Sequence, residues 1–224
     1  MPAVFVTSTG TEIGKTFVTA GLIRHFRDQG RAVNALKPVI SGYDPSAPEG
    51  SDPAILLQAL GRPVTPEEVV RISPWRFAAP VAPDLAARRE GRSIDFRAVV
   101  DFCQRATKSD EMLLIEGVGG VMVPLDDRHT VIDWISALRI PAIVVTGSYL
   151  GTISHTLTAI NVLAQRNLTT AAIVVSESPD SPVSLADTVA SINRFGDLID
   201  IVPLPRLAPG IQTDPAFGQL AALL

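Results

Sequence analysis

The sequence predicts an α/β fold in which helices cover both faces of a mainly parallel, doubly wound sheet. Short apolar runs alternate along the chain with segments of helical pattern. Most of these runs are continuously apolar, which is typical of strands buried on both faces. The 224 residues are 46% hydrophobic and 19% charged, so one well-packed domain over residues 1–224 is expected. Right-handed crossovers bring the carboxyl ends of such strands to one edge, where ligands bind.

The individual elements follow from the same alternation. Strands are predicted at 3–6, 32–39, 112–116, 142–145, 170–175 and 199–203. Helices are predicted at 15–28, 53–60, 84–89, 96–106, 131–138, 154–166, 184–195 and 215–223. The residues that carry the function are therefore expected directly after the strands.

The first predicted strand ends in a loop of small residues that leads into a helix. The loop reads Thr7-Ser8-Thr9-Gly10-Thr11-Glu12-Ile13-Gly14-Lys15-Thr16. In such a loop the backbone N–H groups converge on phosphate, the lysine reaches the β- and γ-phosphates, and the threonine hydroxyl can bind Mg²⁺. The strict G-x-x-x-x-G-K-[ST] pattern would place its first glycine at Thr9, whereas Gly10 stands one position later. The loop predicts a P-loop NTPase with a Rossmann-like, three-layer α/β/α architecture.

Charged residues occur at two further strand ends. Lys37 lies in the apolar run 32–39 shortly before Ser41, and its burial requires either a carboxylate partner or a use as a second cation near phosphate. Glu116 ends the run 112–116 and is followed by a glycine-rich turn, Gly117-Val118-Gly119-Gly120. A carboxylate at this position can hold Mg²⁺ or its water. Asp52, just before a proline, suits either a helix N-cap or a third metal ligand.

Taken in order, these segments resemble the dethiobiotin synthetase family. The similar segments are Thr11-Glu12-Ile13-Gly14-Lys15-Thr16, Lys37-Pro38-Val39-Ile40-Ser41-Gly42, Ser51-Asp52, Pro80-Val81-Ala82-Pro83-Asp84-Leu85-Ala86-Ala87, Glu116-Gly117-Val118-Gly119-Gly120 and Leu150-Gly151-Thr152-Ile153-Ser154-His155-Thr156-Leu157. They extend over the whole chain at nearly the family's length. An ordered set of this kind is far more specific than the phosphate loop alone.

The resemblance implies ATP- and Mg²⁺-dependent closure of a cyclic urea in biotin biosynthesis, from 7,8-diaminononanoate and CO₂. It makes Lys15 and Lys37 the catalytic cations, and Thr16, Asp52 and Glu116 the metal ligands. It places the nucleotide against Thr11, Glu12, Ile13, Gly14, Lys15, Thr16, Phe17, Asp52, Glu116, Gly117, Val118, Gly119, Ser176, Glu177, Pro205, Arg206 and Leu207. It places the diamine substrate against Ser41, Gly119, Gly120 and Ser154. A homodimer that uses the helix 154–166 is also implied.

The chain departs from the family pattern at several positions. Ser8 stands where the family has glycine, Gly10 where it usually has aspartate, and Asp84 where it usually has histidine. Ser176 replaces an asparagine that reads the adenine edge, and because a hydroxyl makes fewer contacts than an amide, we expect broad nucleotide use. Further departures are an arginine, Arg206, for an aromatic residue in the second base-binding loop, and Ser154 and Thr188 near the positions that bind the substrate carboxylate.

Two other P-loop classes differ from this chain in identifiable features. Switch ATPases that act in chromosome partitioning or septum positioning carry an additional lysine early in the loop, where this chain has Thr9 and Gly10. Cobyrinate-type amidotransferase synthases carry a second domain with a cysteine nucleophile. Cys103 is the only cysteine of this chain and lies in a helical pattern, so a buried, unreactive thiol is expected.

Composition narrows the expected partners and location. The formal net charge of −4 gives no sign of a nucleic-acid-binding surface. No targeting segment and no apolar run of about 18 residues is present, so a cytoplasmic protein that does not insert into a membrane is expected.

Overall fold

The computed structural model describes residues 3–196 and 198–224, and over this part of the chain a parallel sheet of six strands carries the fold. The strands are β1 Ala3–Ser8, β2 Val33–Leu36, β3 Val39–Ser41, β4 Trp75–Phe77, β5 Met112–Glu116, β6 Ala142–Gly147, β7 Thr170–Ser176 and β8 Ile201–Leu204. The helices are α1 Lys15–Asp28, α2 Asp52–Ala59, α3 Pro66–Ile72, α4 Pro83–Arg89, α5 Phe96–Ala106, α6 Val131–Leu138, α7 Thr152–Gln165, α8 Leu185–Phe195 and α9 Pro215–Ala222. The predicted fold class is confirmed.

The six strands run in the order β2-β5-β1-β6-β7-β8, and every pair is parallel. Strands β1, β5 and β6 are buried along their whole length, as their continuously apolar sequences predict. On one face of β1, the ring of Phe5 packs edge-on against Trp134 of α6, with 4.9 Å between centroids. Helix α1 packs against α2 and against α9. In the contact with α9, Phe17 of α1 meets Phe217. The carboxyl ends of β1 and β5 therefore open side by side onto the start of α1.

The predicted strand at 32–39 is wrong as a single element. Strand β2 ends at Leu36, and Val39 begins β3, which leaves the main sheet and pairs in parallel with β4. Pro38 has no N–H to donate to a ladder, and the Lys37 N–H turns away to the carbonyl of Ile72 at 3.0 Å. The break places Lys37 and Ser41 on different sides of a change in sheet.

Two elements escaped the sequence prediction. Strand β4 has three residues and pairs with a segment more than thirty positions away, so no local sequence pattern predicts it. Helix α3 did have a signal, because Thr65 caps the N–H of Glu68 and a proline follows the cap. Within the described residues, no helix is long and apolar enough to cross a bilayer.

Candidate active site

The loop between β1 and α1 is the floor of a cavity of about 360 Å³. Gly14, at φ 94°, is the residue before the helix, in a left-handed conformation that favours glycine. Its carbonyl accepts the N–H of Val18 at 2.9 Å, which starts the helical ladder. The predicted site residues that line this cavity are Thr11, Glu12, Ile13, Gly14, Lys15, Thr16, Lys37, Ser41, Asp52, Val118 and Gly119. A loop and helix start of this shape suit a bound phosphate.

The ammonium of Lys15 is held against the loop itself. Its Nζ donates to Ser8 Oγ at 3.0 Å and to the carbonyl of Gly10 at 3.1 Å. Ser8 Oγ also lies 3.0 Å from the carbonyl of Gly119, so one hydroxyl ties the phosphate loop to the turn after β5. Burial, and then repulsion from Lys37, lower the pKa of Lys15 to about 8, against the opposing attraction of nearby carboxylates.

A network of charged groups lies directly behind the loop. Lys37 Nζ is 2.8 Å from Glu116 Oε1 and 2.9 Å from Asp52 Oδ2, and it also donates to the carbonyl of Gly117 at 2.8 Å. Thr16 Oγ1 is 2.8 Å from Asp52 Oδ1 and 2.8 Å from Glu116 Oε1, so its one hydrogen can go to either carboxylate. Residues from β5, α1, α2 and the break after β2 thus meet at one point.

The network settles the charge on Lys37. Its side chain is 2% exposed and that of Glu116 is 0% exposed. Burial alone would lower the pKa of Lys37, but the carboxylates of Glu116 and Asp52 outweigh it and raise this pKa to about 12. Burial would likewise raise the pKa of Asp52, and the charge and hydrogen bond of Lys37 bring it below its ordinary value instead. Lys37 is therefore a buried cation at neutral pH.

The N-cap interpretation of Asp52 is wrong. Ser51 caps α2 by accepting the N–H of Ala54 at 3.4 Å, and Asp52 is the first helical residue, followed by Pro53. Since the cap is supplied by its neighbour, the Asp52 carboxylate is left to face Lys37 and Thr16. It remains 36% exposed on the side of the cavity.

The residues that could hold a divalent cation are Thr16, Asp52 and Glu116. Glu116 Oε2 is buried and has no hydrogen-bond partner among the described residues, which fits an acceptor aimed at a cation. Two carboxylates and a hydroxyl suit Mg²⁺, which takes few protein ligands and keeps waters and phosphate oxygens. No group of three or more His, Cys, Asp or Glu side chains suited to a metal occurs in residues 3–196 and 198–224.

A second, larger cavity of about 530 Å³ adjoins the first and shares Glu12, Ile13 and Gly14 with it. The other predicted nucleotide residues that line it are Phe17, Ser176, Glu177, Pro205, Arg206 and Leu207. Ser176 ends β7 so close to the loop that a Cβ on Gly14 would lie 3.1 Å from its hydroxyl. Glu177 Oε2 accepts the N–H of Arg206 at 2.9 Å and so fixes the outer wall. The cavity has the position and size for a nucleoside beside the phosphate loop.

Four predicted site residues lie outside both cavities. Glu116 and Gly117 lie behind the first cavity, in the network around Lys37. Gly120 packs against the phosphate loop, where a Cβ would meet the carbonyl oxygen of Ser8 at 3.2 Å. Ser154 lies exposed in the first turn of α7, which begins two residues earlier than predicted. Nothing within one described chain brings Ser154 to the site.

Sequence reasoning missed part of the larger cavity. Arg24 and Ala20 line it from α1, and Ile55 and Gln58 line it from α2. A signal was present, because Phe17, Ala20 and Arg24 recur at the spacing that places side chains on one helix face. The remaining wall comes from Ser178, Pro179 and residues 208–212, which lie in irregular segments without a periodic sequence pattern.

Known proteins resemble this chain along most of its length. A family model described as an AAA domain matches residues 2–209. The chain is 50% identical to the ATP-dependent dethiobiotin synthetase BioD of Acidiphilium cryptum, over 87% of this chain and 88% of the relative. It is 52% identical to the protein of the same name from Methylobacterium nodulans, over 87% of this chain and 89% of the relative. A third, from Anaeromyxobacter, is 36% identical over 93% of this chain and 90% of the relative.

Solved structures with the same fold are more distant in sequence. A chain of the MinC:MinD cell division protein complex of Aquifex aeolicus superposes with a TM-score of 0.60 at 14% identity, over 100% of this chain and 94% of that one. A ParA family ATPase from Chlorobium tepidum gives a TM-score of 0.57 at 15% identity, over 99% and 98% of the two chains. At such identities the likeness concerns the fold alone.

Proposed function

The chain belongs to the ATP-dependent dethiobiotin synthetase family, and we propose that it closes the ureido ring of dethiobiotin from 7,8-diaminononanoate, CO₂ and ATP in biotin biosynthesis. The observation that carries the proposal is the position of Lys37. It lies behind a phosphate loop, between two carboxylates, and lines the same cavity as Lys15 and Ser41. Two lysine ammonium groups thus lie beside the place where a triphosphate would bind.

The chemistry has three steps with different demands. An unprotonated amine of the substrate adds to CO₂ and loses a proton, which gives a carbamate. A carbamate oxygen then takes the γ-phosphoryl group of ATP, and ADP leaves. Finally the second amine attacks the carbonyl carbon, inorganic phosphate departs, and the ring closes with loss of another proton. Phosphorylation makes the carbamate oxygen a good leaving group.

The residues of the first cavity would serve the second step above all. Carbamate and γ-phosphate are both anions, and bringing them together requires neutralising charge that is already in place. Lys15, in the phosphate loop, would bind the β- and γ-phosphates. Lys37 would face the reacting oxygens from the other side, while the Ser41 hydroxyl would donate to the carbamate. Positioning and electrostatic stabilisation are the main contributions that phosphoryl transfer needs from a protein.

Thr16, Asp52 and Glu116 would hold Mg²⁺. The unpartnered Oε2 of Glu116 supports this assignment. Bound there, Mg²⁺ would supply positive charge to the β- and γ-phosphate oxygens. Asp52 and Glu116 keep that charge next to the start of α1.

The nucleoside would occupy the larger cavity, with Ser176 and Glu177 on one wall and Pro205, Arg206 and Leu207 on the other. We also propose a cytoplasmic homodimer. The exposed position of Ser154 on α7 supports a role for that helix in a neighbouring subunit, since the residue lines neither of the two cavities described above.

One assay tests the proposed reaction. Purified protein is incubated with 7,8-diaminononanoate, bicarbonate, Mg²⁺ and ATP, and phosphate and dethiobiotin are both quantified. We expect one phosphate for each dethiobiotin and little phosphate without the diamine. Phosphate release at the same rate with and without the diamine would instead support a switch ATPase, the alternative class.

A further inference from the structure

We propose that the Lys37 ammonium and the divalent cation of this site compete for the same two carboxylates, so that cation binding turns Lys37 toward the substrate cavity. The inference rests on the proposed metal ligands and extends them. It makes Lys37 the residue that sets how tightly the site holds its cation. It also links cation binding to the availability of the catalytic ammonium.

Lys37 and the proposed cation share two carboxylates. Lys37 Nζ lies within 2.9 Å of both Glu116 Oε1 and Asp52 Oδ2. Glu116 Oε1 and the carboxylate of Asp52 are also the groups that Thr16 contacts at 2.8 Å. A cation bound by Thr16, Asp52 and Glu116 would therefore be placed on carboxylates that an ammonium already neutralises.

Burial makes this sharing costly. Lys37 is 2% exposed and Glu116 0% exposed, so water screens their charges poorly. Adding a divalent charge to the same carboxylates brings two cations into repulsion at short range. Breaking the contacts between the Lys37 ammonium and the carboxylates costs free energy. This cost lowers the affinity of the site for the cation.

Lys37 lines the cavity that Lys15, Ser41 and Gly119 also line, and its side chain is otherwise almost fully buried. We therefore infer that this cavity is the space into which the ammonium turns. An ammonium that turns into this cavity meets the place proposed for the carbamate and the γ-phosphate. Anions there would compensate the contacts given up, so cation and anion binding favour each other, as linkage requires.

An opposite role for Lys37 makes the idea testable. If the lysine only held the two carboxylates in place for the metal, its removal would disorder the site and weaken cation binding. Competition predicts the reverse sign. The direction of one affinity change therefore decides between them.

The experiment uses the full chain, freed of divalent cations with a chelator, and no nucleotide. Free Mn²⁺ is measured by electron paramagnetic resonance during titration of the wild type and of Lys37→Met, Lys37→Arg, Asp52→Asn and Lys108→Met. We expect Lys37→Met to bind Mn²⁺ at least about tenfold more tightly than the wild type, because a unit charge has left a buried site. Lys37→Arg keeps the charge and should stay within about threefold, and Asp52→Asn should lose most binding. Lys108 is an exposed lysine in a turn outside both cavities, so Lys108→Met is the matched control for loss of a lysine charge.

Thermal unfolding with and without Mn²⁺ guards against a folding defect. Lys37→Met should unfold at a lower temperature than the wild type without Mn²⁺ and gain more from its addition. Should Lys37→Met not fold, Lys37→Gln takes its place in both measurements. Equal or weaker Mn²⁺ binding by the folded neutral variant overturns the competition. If none of the proteins binds Mn²⁺, the titrations are repeated with ADP present. Absence of Mn²⁺ binding in that second series as well overturns the proposed metal ligands themselves.

Discussion

The two cavities at the start of α1 share three loop residues but are built in different ways. The smaller one is backed by buried, charged side chains from β5, α1, α2 and the break after β2, all joined by hydrogen bonds of 2.8–2.9 Å. The larger one is walled partly by the mostly exposed loop residues 205–212, where the Arg206 N–H donates to Glu177, the residue after β7.

The difference teaches where this molecule can change. Removing one member of the buried network leaves the others with uncompensated charge, so its members depend on one another. Ser176, by contrast, is half-buried in the wall of the larger cavity and has no charged partner in the network, so exchanging it would leave the buried charges compensated. We therefore expect the phosphoryl chemistry to be fixed and the choice of base to be adaptable.

The largest expected effect comes from Lys37→Ala. We expect turnover to fall by roughly 10²–10³ with the fold retained, because one preorganised charge at phosphoryl transfer is lost. The buried Glu116 loses its partner, so the free energy of unfolding should also fall by about 3 kcal/mol. Steady-state rates, circular dichroism and denaturant unfolding check the three statements. Lys108→Ala, in an exposed turn, is the control, and near-normal turnover of Lys37→Ala would remove Lys37 from the catalytic set.

A smaller effect is expected at the base. We predict that the wild type uses ATP, CTP and GTP with kcat/KM values within about tenfold of one another, because a hydroxyl at Ser176 reads a base edge weakly. Ser176→Asn should raise the preference for ATP by about tenfold and leave kcat with ATP nearly unchanged. Rates with the three nucleotides test this, with Ser109→Asn, outside both cavities, as control. A strong ATP preference in the wild type would contradict the prediction.

The smallest effect compares the two cavities by ligand protection. Cys103 is buried and burial raises its pKa to about 12, so a thiol reagent at pH 8 meets a protonated, enclosed group in the folded chain. Labelling then reports opening of the structure, and any ligand of the native state slows it by mass action. We compare the labelling rate of Cys103 with Mg²⁺ and either tripolyphosphate or ATP, both at the same saturating concentration. The two rates should agree within about threefold, because both ligands bind the same phosphate site.

Adenosine at the same concentration should give little protection of Cys103. If adenosine protected as well as ATP, the larger cavity would be the stronger binding region and the comparison would be reversed. The Cys103→Ser variant, which cannot react, serves as the blank for the reagent.

Much of the site was predictable from the sequence because strand ends of a parallel sheet converge. Thr16, Lys37 and Glu116 each follow or end an apolar run, so the sheet order alone brings them together. Asp52 could be placed near them but its use could not be decided, since Ser51 and Asp52 are both good capping residues.

Other features could not be read from the sequence. The contact of Lys15 with Ser8 depends on how the loop folds back, and the unpartnered oxygen of Glu116 depends on side-chain rotation. The pairing of β3 with β4 joins two three-residue strands across a long separation, where local propensity carries no information. These are tertiary effects that only the assembled chain determines.

The break at Pro38 makes the substrate side of the molecule modular. Lys37 is anchored to the main sheet's network, whereas Ser41, four positions later, belongs to the separate β3–β4 ribbon. Changes in length or composition of that ribbon would move the hydroxyl that we propose to face the substrate, without altering the charge network. Redesign toward diamines of another chain length should therefore begin with the ribbon and leave the residues before Pro38 untouched.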